Sequence, residues 1–232
     1  MITLAFDIYG TLINPAGITE RLHTVAGDKA STFARLWREK QLEYTFRRGL
    51  MNSYCDFTVC VQQALQFTAA NLQIALSKKE NDRLMALYLE LPAFIDAERC
   101  LQKLNRSEFR VYALSNGTLQ DVLQLLAYNQ LQKYFLEVIS VEEIRTFKPD
   151  PAVYRFFLEK SRSEASDSWL VSSNPFDVIG AVSAGMKAIW IQRDSNAVFD
   201  PWEIRPTITL QGLDALPETI LQNHSKESGF IP

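Results

Sequence analysis

The stretch that decides the fold is Phe6-Asp7-Ile8-Tyr9-Gly10-Thr11-Leu12, entered from the apolar run 2–6. A short apolar run that ends at a Gly-Thr turn reads as a buried strand. The aspartate behind it then stands at the carboxyl edge of that strand, where open α/β sheets bind their ligands. Gly10 lets the backbone turn closely, and neighbouring amide N–H groups can face an anion. Thr11 is spaced to hydrogen-bond a carboxylate. An aspartate that merely caps the following turn looks the same locally, so the segment alone leaves both roles open.

Outward from it, further apolar runs at 111–114, 138–140, 169–171 and 188–191 read as buried parallel strands. Helical patterns follow three of them, at 119–128, 151–160 and 176–184. Strand–helix alternation of this kind predicts a doubly wound, Rossmann-like α/β parallel sheet. The stretch between Pro15 and Phe94 breaks the alternation and carries only helical signals, over 30–46, 57–67 and 80–89. Apolar faces there need partners, which a small bundle supplies. The predicted organisation is a core of residues 1–14 and 95–222, a helical cap of residues 15–94 inserted after the first strand, and a polar, loosely ordered tail at 223–232.

Each predicted strand end or the loop after it brings chemistry. Ser115-Asn116-Gly117 follows the second strand and can hold an anion through hydroxyl, amide and backbone N–H groups, or form an ordinary turn. In Phe147-Lys148-Pro149-Asp150-Pro151 the aspartate suits a helix N-cap and Pro151 its first position, which leaves Lys148 on a stiff loop rather than on a mobile surface arm. Ser172-Ser173-Asn174-Pro175-Phe176-Asp177 follows the fourth strand. Asp177 in a first helical turn also satisfies the helix dipole. The small residues 180–185 suit a helix packed tightly on the sheet.

Composition narrows the chemistry. Apolar residues are 47% and charged residues 22% of 232, the balance of a globular domain with a sizeable core. A net charge of −3 carries no basic footprint, so no nucleic-acid partner is expected. No apolar run reaches the roughly 18–20 residues that span a bilayer, and no leader-like segment precedes the first strand, so no membrane association and a cytoplasmic location are expected. Three cysteines, Cys55, Cys60 and Cys100, without CxxC spacing argue against a disulfide framework. Only His23 and His224 are present, which disfavours a histidine zinc site or a Ser-His-Asp triad. Asp, Ser, Lys and Arg are left to do the chemistry.

The ordered set FDxYGTL, LSNG, KPDPxVY and SSNxxD, with a helical insertion after the first strand, resembles the haloacid dehalogenase superfamily and, within it, the L-2-haloacid dehalogenases. The segment 36–45, with Arg38, is similar to that branch's arginine-bearing helix. Most superfamily members are magnesium-dependent phosphotransferases whose first motif is DxDxT. Here Tyr9 holds the second acidic position, and Ser172 and Ser173 hold the Gly-Asp of the fourth motif. A phenol with an ordinary pKa near 10 is a poor proton shuttle at neutral pH. Asp7 and Asp177 alone make a thin magnesium site. The resemblance therefore implies no metal and no cofactor.

It further implies a reaction: Asp7 attacks the halogen-bearing carbon of a small L-2-haloacid, and water hydrolyses the resulting ester to a D-2-hydroxy acid. Arg38, Asn116 and Phe176 are the expected halide cradle. Ser115 with the amides at Ile8 and Tyr9 is expected to hold the substrate carboxylate. Asp177 is the expected base, with Lys148, Ser172 and Asn174 around the water. Thr11 and Tyr154 brace the site, and Tyr9, Leu42 and Phe57 line its apolar side. The family also implies a homodimer. Phe176 stands where many members carry tryptophan, Phe147 where tyrosine is common, and Pro175 is unusual beside Asn174. A magnesium-dependent phosphatase and a non-catalytic family member are the competing readings.

Overall fold

A computed structural model describes the backbone of residues 1–228 and the side chains of residues 1–224. Its centre is a sheet of β1 (Ile2–Phe6), β2 (Phe109–Ser115), β3 (Glu137–Ser140), β4 (Ser168–Ser172), β5 (Lys187–Ile191) and β6 (Ile208–Leu210). The order is β3-β2-β1-β4-β5-β6 and every pairing is parallel. β1 is buried along its whole length, as a strand covered on both faces must be. The strand order reverses between β1 and β4, and Phe6 pairs with both Ala113 and Val171. Asp7 and Ser172 therefore meet at the switch point, where such sheets place their ligand crevice.

The insertion after β1 holds α1 (Thr19–Ala26), α2 (Ala30–Leu50), α3 (Phe57–Asn71) and α4 (Lys78–Tyr88). α2 buries Phe33, Trp37, Gln41 and Thr45, four positions at the i,i+4 spacing of one helical face. Trp37 anchors it to α3 by donating its indole N–H to the Val61 carbonyl at 2.9 Å. Leu36 and Leu42 are only half-buried. Polar Gln41 and Thr45 take core positions instead, because that face meets polar groups. Ser77 and Glu80 close a reciprocal cap at the start of α4.

The chain returns to the sheet beside the way it left. Ile13 bridges Ala93 in antiparallel fashion, the Asn14 amide donates to Pro92, and the Phe94 amide donates to Leu12, both at 2.8 Å. The sheet is then covered by α5 (Ala97–Leu104), α6 (Leu119–Tyr128), α7 (Pro151–Ser161), α8 (Pro175–Ser183) and α9 (Leu216–Ser228). α9 is held by buried Leu216 and Ile220. It runs through positions 223–228, so the expected loose tail is helical there, and the rest of that tail lies outside the described residues. The expectation also lacked β6, α1 and α5. Among the described residues no helix is long and apolar enough to cross a membrane, and the three cysteines are unbridged.

Gly180 in α8 shows how closely this layer packs. A Cβ there would lie 2.4 Å from the Tyr154 hydroxyl and 2.6 Å from its ring. Gly180→Ala should therefore cost about 1–3 kcal/mol by overpacking. Urea unfolding checks this, and an unchanged midpoint would mean that α7 and α8 separate freely.

Candidate active site

Asp7 follows β1 and is only 7% exposed. Its two oxygens differ. Oδ2 accepts from the Thr11 hydroxyl at 2.7 Å, the Asn174 amide at 2.8 Å and the Ser172 hydroxyl at 3.4 Å. Oδ1 accepts from the Lys148 ammonium at 3.1 Å. The turn after β1 provides this arrangement, since the Ile8 carbonyl accepts from the amides of Thr11, Leu12 and Ile13 and folds the Thr11 hydroxyl back onto the carboxylate. Gly10 sits at φ +94, where a side chain would be strained.

Lys148 is 2% exposed and belongs to the interior. Its Nζ donates to Asp7, to Asp177 Oδ2 at 2.8 Å and to the Leu114 carbonyl at 2.8 Å. The loop that carries it has the predicted caps: Asp150 accepts from the Ala152 amide at 2.8 Å, and Pro151 opens α7. The Lys148 backbone N–H donates to Asn116 Oδ1 at 2.9 Å. Burial by itself would push the lysine toward its neutral form, but the two facing carboxylates prevail and hold its pKa above the ordinary 10.5.

Asp177 is fully buried in the first turn of α8. Its second oxygen accepts from the Tyr154 hydroxyl at 2.8 Å. Its role in the helix is thus more than a match to the dipole. Burial raises its pKa, Lys148 opposes the rise, and the nearby charge of Asp7 adds to it. Asn174 takes the N-cap position of α8 yet caps nothing with its side chain. Its amide goes instead to Asp7 and, at 3.1 Å, to the Tyr9 carbonyl.

The cap contributes Arg38, whose guanidinium reaches the same Tyr9 carbonyl at 3.4 Å and Gln41 at 3.2 Å. Tyr88 donates to Gln41 at 2.9 Å. The Tyr9 ring points into the cap, with ring centroids 5.4 Å from Phe57 and 5.5 Å from Tyr88. Burial raises the pKa of the Tyr9 phenol well above its ordinary value, so it stays protonated. Leu42 is half-buried one turn after Arg38. Phe46, one turn further, packs edge-on against Phe176 at 5.0 Å. A cavity of about 670 Å³ opens beside that pair, lined by Leu50, Phe147, Lys148, Ile179 and Trp202 among others.

Asp7, Thr11, Lys148, Tyr154, Ser172, Asn174 and Asp177 thus form one connected network, and Arg38 joins it through Tyr9. Ser115 is buried next to it, with its hydroxyl accepting from the Gly117 amide at 3.0 Å. Among the described residues Leu42 and Phe176 take no part in the hydrogen bonds of this network, and Phe176 packs instead on Phe46 of the cap. Sequence reasoning overlooked Ser173, whose amide donates to the Thr11 hydroxyl at 2.9 Å and whose own hydroxyl fixes the Gly10 carbonyl at 2.7 Å. It also missed Gln41 and Tyr88. Their signal was polarity on an otherwise apolar helical stripe.

A buried aspartate at the switch point, a lysine bridging it to a second aspartate, and a helical insertion after β1 define a particular class of hydrolase. The chain belongs to the haloacid dehalogenase-like hydrolase family, whose model matches residues 2–185. Within it, the chain is similar to dehalogenases of 2-haloacids. It is 33% identical to the (S)-2-haloacid dehalogenase of Pseudomonas fluorescens over 208 residues, 90% of this chain and 91% of that one. It is 31% identical to haloacetate dehalogenase H-2 of Moraxella sp. (strain B) over 217 residues, 94% and 96% of the two chains. The L-2-haloacid dehalogenase of Xanthobacter autotrophicus with chloropropionic acid covalently bound superposes with a TM-score of 0.88 at 27% identity, over 95% of this chain and 99% of that one.

Removing the lysine should expose how the network is balanced. Lys148→Met leaves two buried carboxylates without their shared cation and should cost about 3–5 kcal/mol. Adding Asp177→Asn should recover part of that loss. Denaturant melts of the single and double variants decide it, and strict additivity would mean the ion triad is not coupled.

Proposed function

We propose that this chain hydrolyses small L-2-haloacids to D-2-hydroxy acids through an ester on Asp7, without a divalent cation. The observation that carries this reading is the asymmetry of the Asp7 carboxylate. Oδ2 is taken up by three neutral donors, whereas Oδ1 meets only the Lys148 ammonium among the described residues. Oδ1 keeps a lone pair for attack, and the four contacts together stop the carboxylate from turning. The covalent chloropropionic acid on the Xanthobacter relative supports an ester route here.

In the first step Asp7 Oδ1 bonds to C2, and the carbon–halogen pair leaves as halide. In-line displacement inverts C2. Arg38, the Asn116 amide nitrogen and the edge of Phe176 receive the halide, since Asn116 Oδ1 is already engaged with Lys148. The hydroxyl of Ser115 and the backbone amides at Ile8 and Tyr9 take the substrate carboxylate, and Tyr9, Leu42 and Phe57 bound its alkyl side. In the second step water attacks the Asp7 carboxyl carbon while Asp177 takes its proton. The bond between the Asp7 carboxyl carbon and the C2 oxygen then breaks, that oxygen recovers the proton from Asp177, and the second water proton passes through Asp177 to solvent, which leaves Asp7 as a carboxylate. Lys148, Ser172 and Asn174 hold the ester for this attack, and Tyr154 orients the base.

A magnesium ion does not fit these donors. An ammonium already bridges the two carboxylates that would bind it. Tyr9 offers a neutral phenol where a carboxylic acid is required, and Ser172 and Ser173 are spent on Asp7 and on the turn at Gly10. Among the described residues no group of three His, Cys, Asp or Glu side chains converges on a common point.

Halide release from L-2-chloropropionate in the presence of chelator tests the reading. Asp7→Asn should lower kcat by at least roughly 10³-fold. A single turnover in ¹⁸O-labelled water should place label in the Asp7 carboxylate. No halide from any small 2-haloacid, together with magnesium-dependent cleavage of a phosphate ester, would overturn it.

The pH profile follows from the same groups. As pH falls, Asp177 gains a proton and stops acting as a base. Its raised pKa puts this acid limb above the ordinary carboxylate value of 3.8. As pH rises, Lys148, Tyr9 and Tyr154 keep their protons beyond their ordinary values. kcat should therefore stay level up to about pH 10. A decline already present at about pH 8 would assign the limiting proton to another group.

A further inference from the structure

Arg193 lies just past the end of β5 and belongs to none of the motifs above. Its Nη1 donates to both carboxylate oxygens of Asp96, at 2.8 and 2.7 Å, and its Nη2 donates to the Thr11 carbonyl at 2.6 Å. The guanidinium lies 3.9 Å from the centre of the Phe94 ring. Asp96 is buried and also accepts from the Leu213 amide at 2.8 Å, so the counter-ion is itself fixed. Among the described residues the buried Nε of Arg193 finds no partner, an unfavourable arrangement that the three Nη contacts offset.

We propose that Arg193, with Asp96 as its counter-ion, is a positioning residue for attack by Asp7. This rests on the reading of Asp7 as the nucleophile. Thr11 is the link. Its hydroxyl donates to the non-attacking oxygen of Asp7 and accepts from Ser173, and its amide donates to Ile8. Those bonds fix the amide end and the side chain of Thr11; its carbonyl is fixed by Arg193. A cationic donor on a buried carbonyl makes a short, directional bond. The same guanidinium clamps the crossing where Leu12 and Ile13 leave for the cap and Ala93 and Phe94 return. Arg193 thereby ties β5, the crossing and the nucleophile turn into one rigid unit. A lysine can neutralise Asp96, but it lacks the planar fork that reaches Asp96 and Thr11 together.

Three variants test this with the full chain and L-2-chloropropionate. Arg193→Met should lower kcat by about 30-fold with KM changed less than about twofold, because misplaced groups lose rate more than binding. Arg193→Lys should regain most of the lost Tm yet keep kcat about tenfold low. In a Thr11→Val background, Arg193→Met should lower kcat by less than about twofold, since the two act through one contact. Wild-type kcat in folded Arg193→Met overturns the proposal, as does the full loss repeated in the Thr11→Val background. Recovery of kcat in step with Tm in Arg193→Lys does so as well, and that variant serves if the methionine protein fails to fold. Labelled water separates the two levels. Missing label at Asp7 in the wild type sinks the nucleophile, whereas normal label with an indifferent Arg193 sinks this inference alone.

Discussion

The ammonium of Lys148, held between the carboxylates of Asp7 and Asp177, sets the terms for everything around it. Three charges share one buried site and sum to −1. Burying them is expensive unless geometry and additional hydrogen bonds compensate. The compensation is visible residue by residue: Thr11, Ser172 and Asn174 on Asp7, Tyr154 on Asp177, and the Leu114 carbonyl on the ammonium itself. A surplus negative charge would also repel any anion that enters the site. Arg38, brought in by the cap to within reach of the Tyr9 carbonyl, removes that surplus. With Arg38 counted, the formal charges of the site sum to zero.

The fold gives up local stability to hold this network. Asn174 occupies an N-cap yet leaves the helix amides for Asp7, forgoing the usual gain of about 1 kcal/mol. Gly180 places a poor helix former inside α8 because Tyr154 needs the space. Burying Gln41 leaves its Nε2 unpartnered, while its oxygen serves Arg38 and Tyr88. These choices make sense for the site and not for the elements that carry them.

This contrast explains which parts were legible in the sequence. Strand ends were readable because a buried parallel strand is a continuous apolar run, and Asp7, Ser115 and Ser172 sit at the first polar break. Lys148 was readable because Pro149 and Pro151 follow it and stiffen its loop. β6 was not, since it is a three-residue edge strand with no fully buried position. α1 and α5 are each only eight residues long, at the short end of what helical periodicity can declare. Asp96 and Arg193 lie 97 positions apart and acquire a meaning only when the crossing and the end of β5 meet. In α2 the apolar residues Leu36 and Leu42 drew attention away from Gln41, because hydrophobic periodicity does not register a polar side chain buried for its hydrogen bonds.

Tyr9 shows how one substitution reaches from chemistry to architecture. A carboxylic acid at this position would face the crevice, bind cations and move protons. The tyrosine turns away from Asp7 and enters the aromatic cluster of Phe57 and Tyr88, so its side chain belongs to the cap while its carbonyl belongs to the site. Burial keeps the phenol neutral. The residue two places after Asp7 therefore packs its side chain against the cap. Both Arg38 and Asn174 then converge on its carbonyl, which links the cap helix to the groups that orient Asp7. A buried carboxylate held in one orientation by these contacts is less hydrated, and so more reactive toward an electrophile, than one free in water.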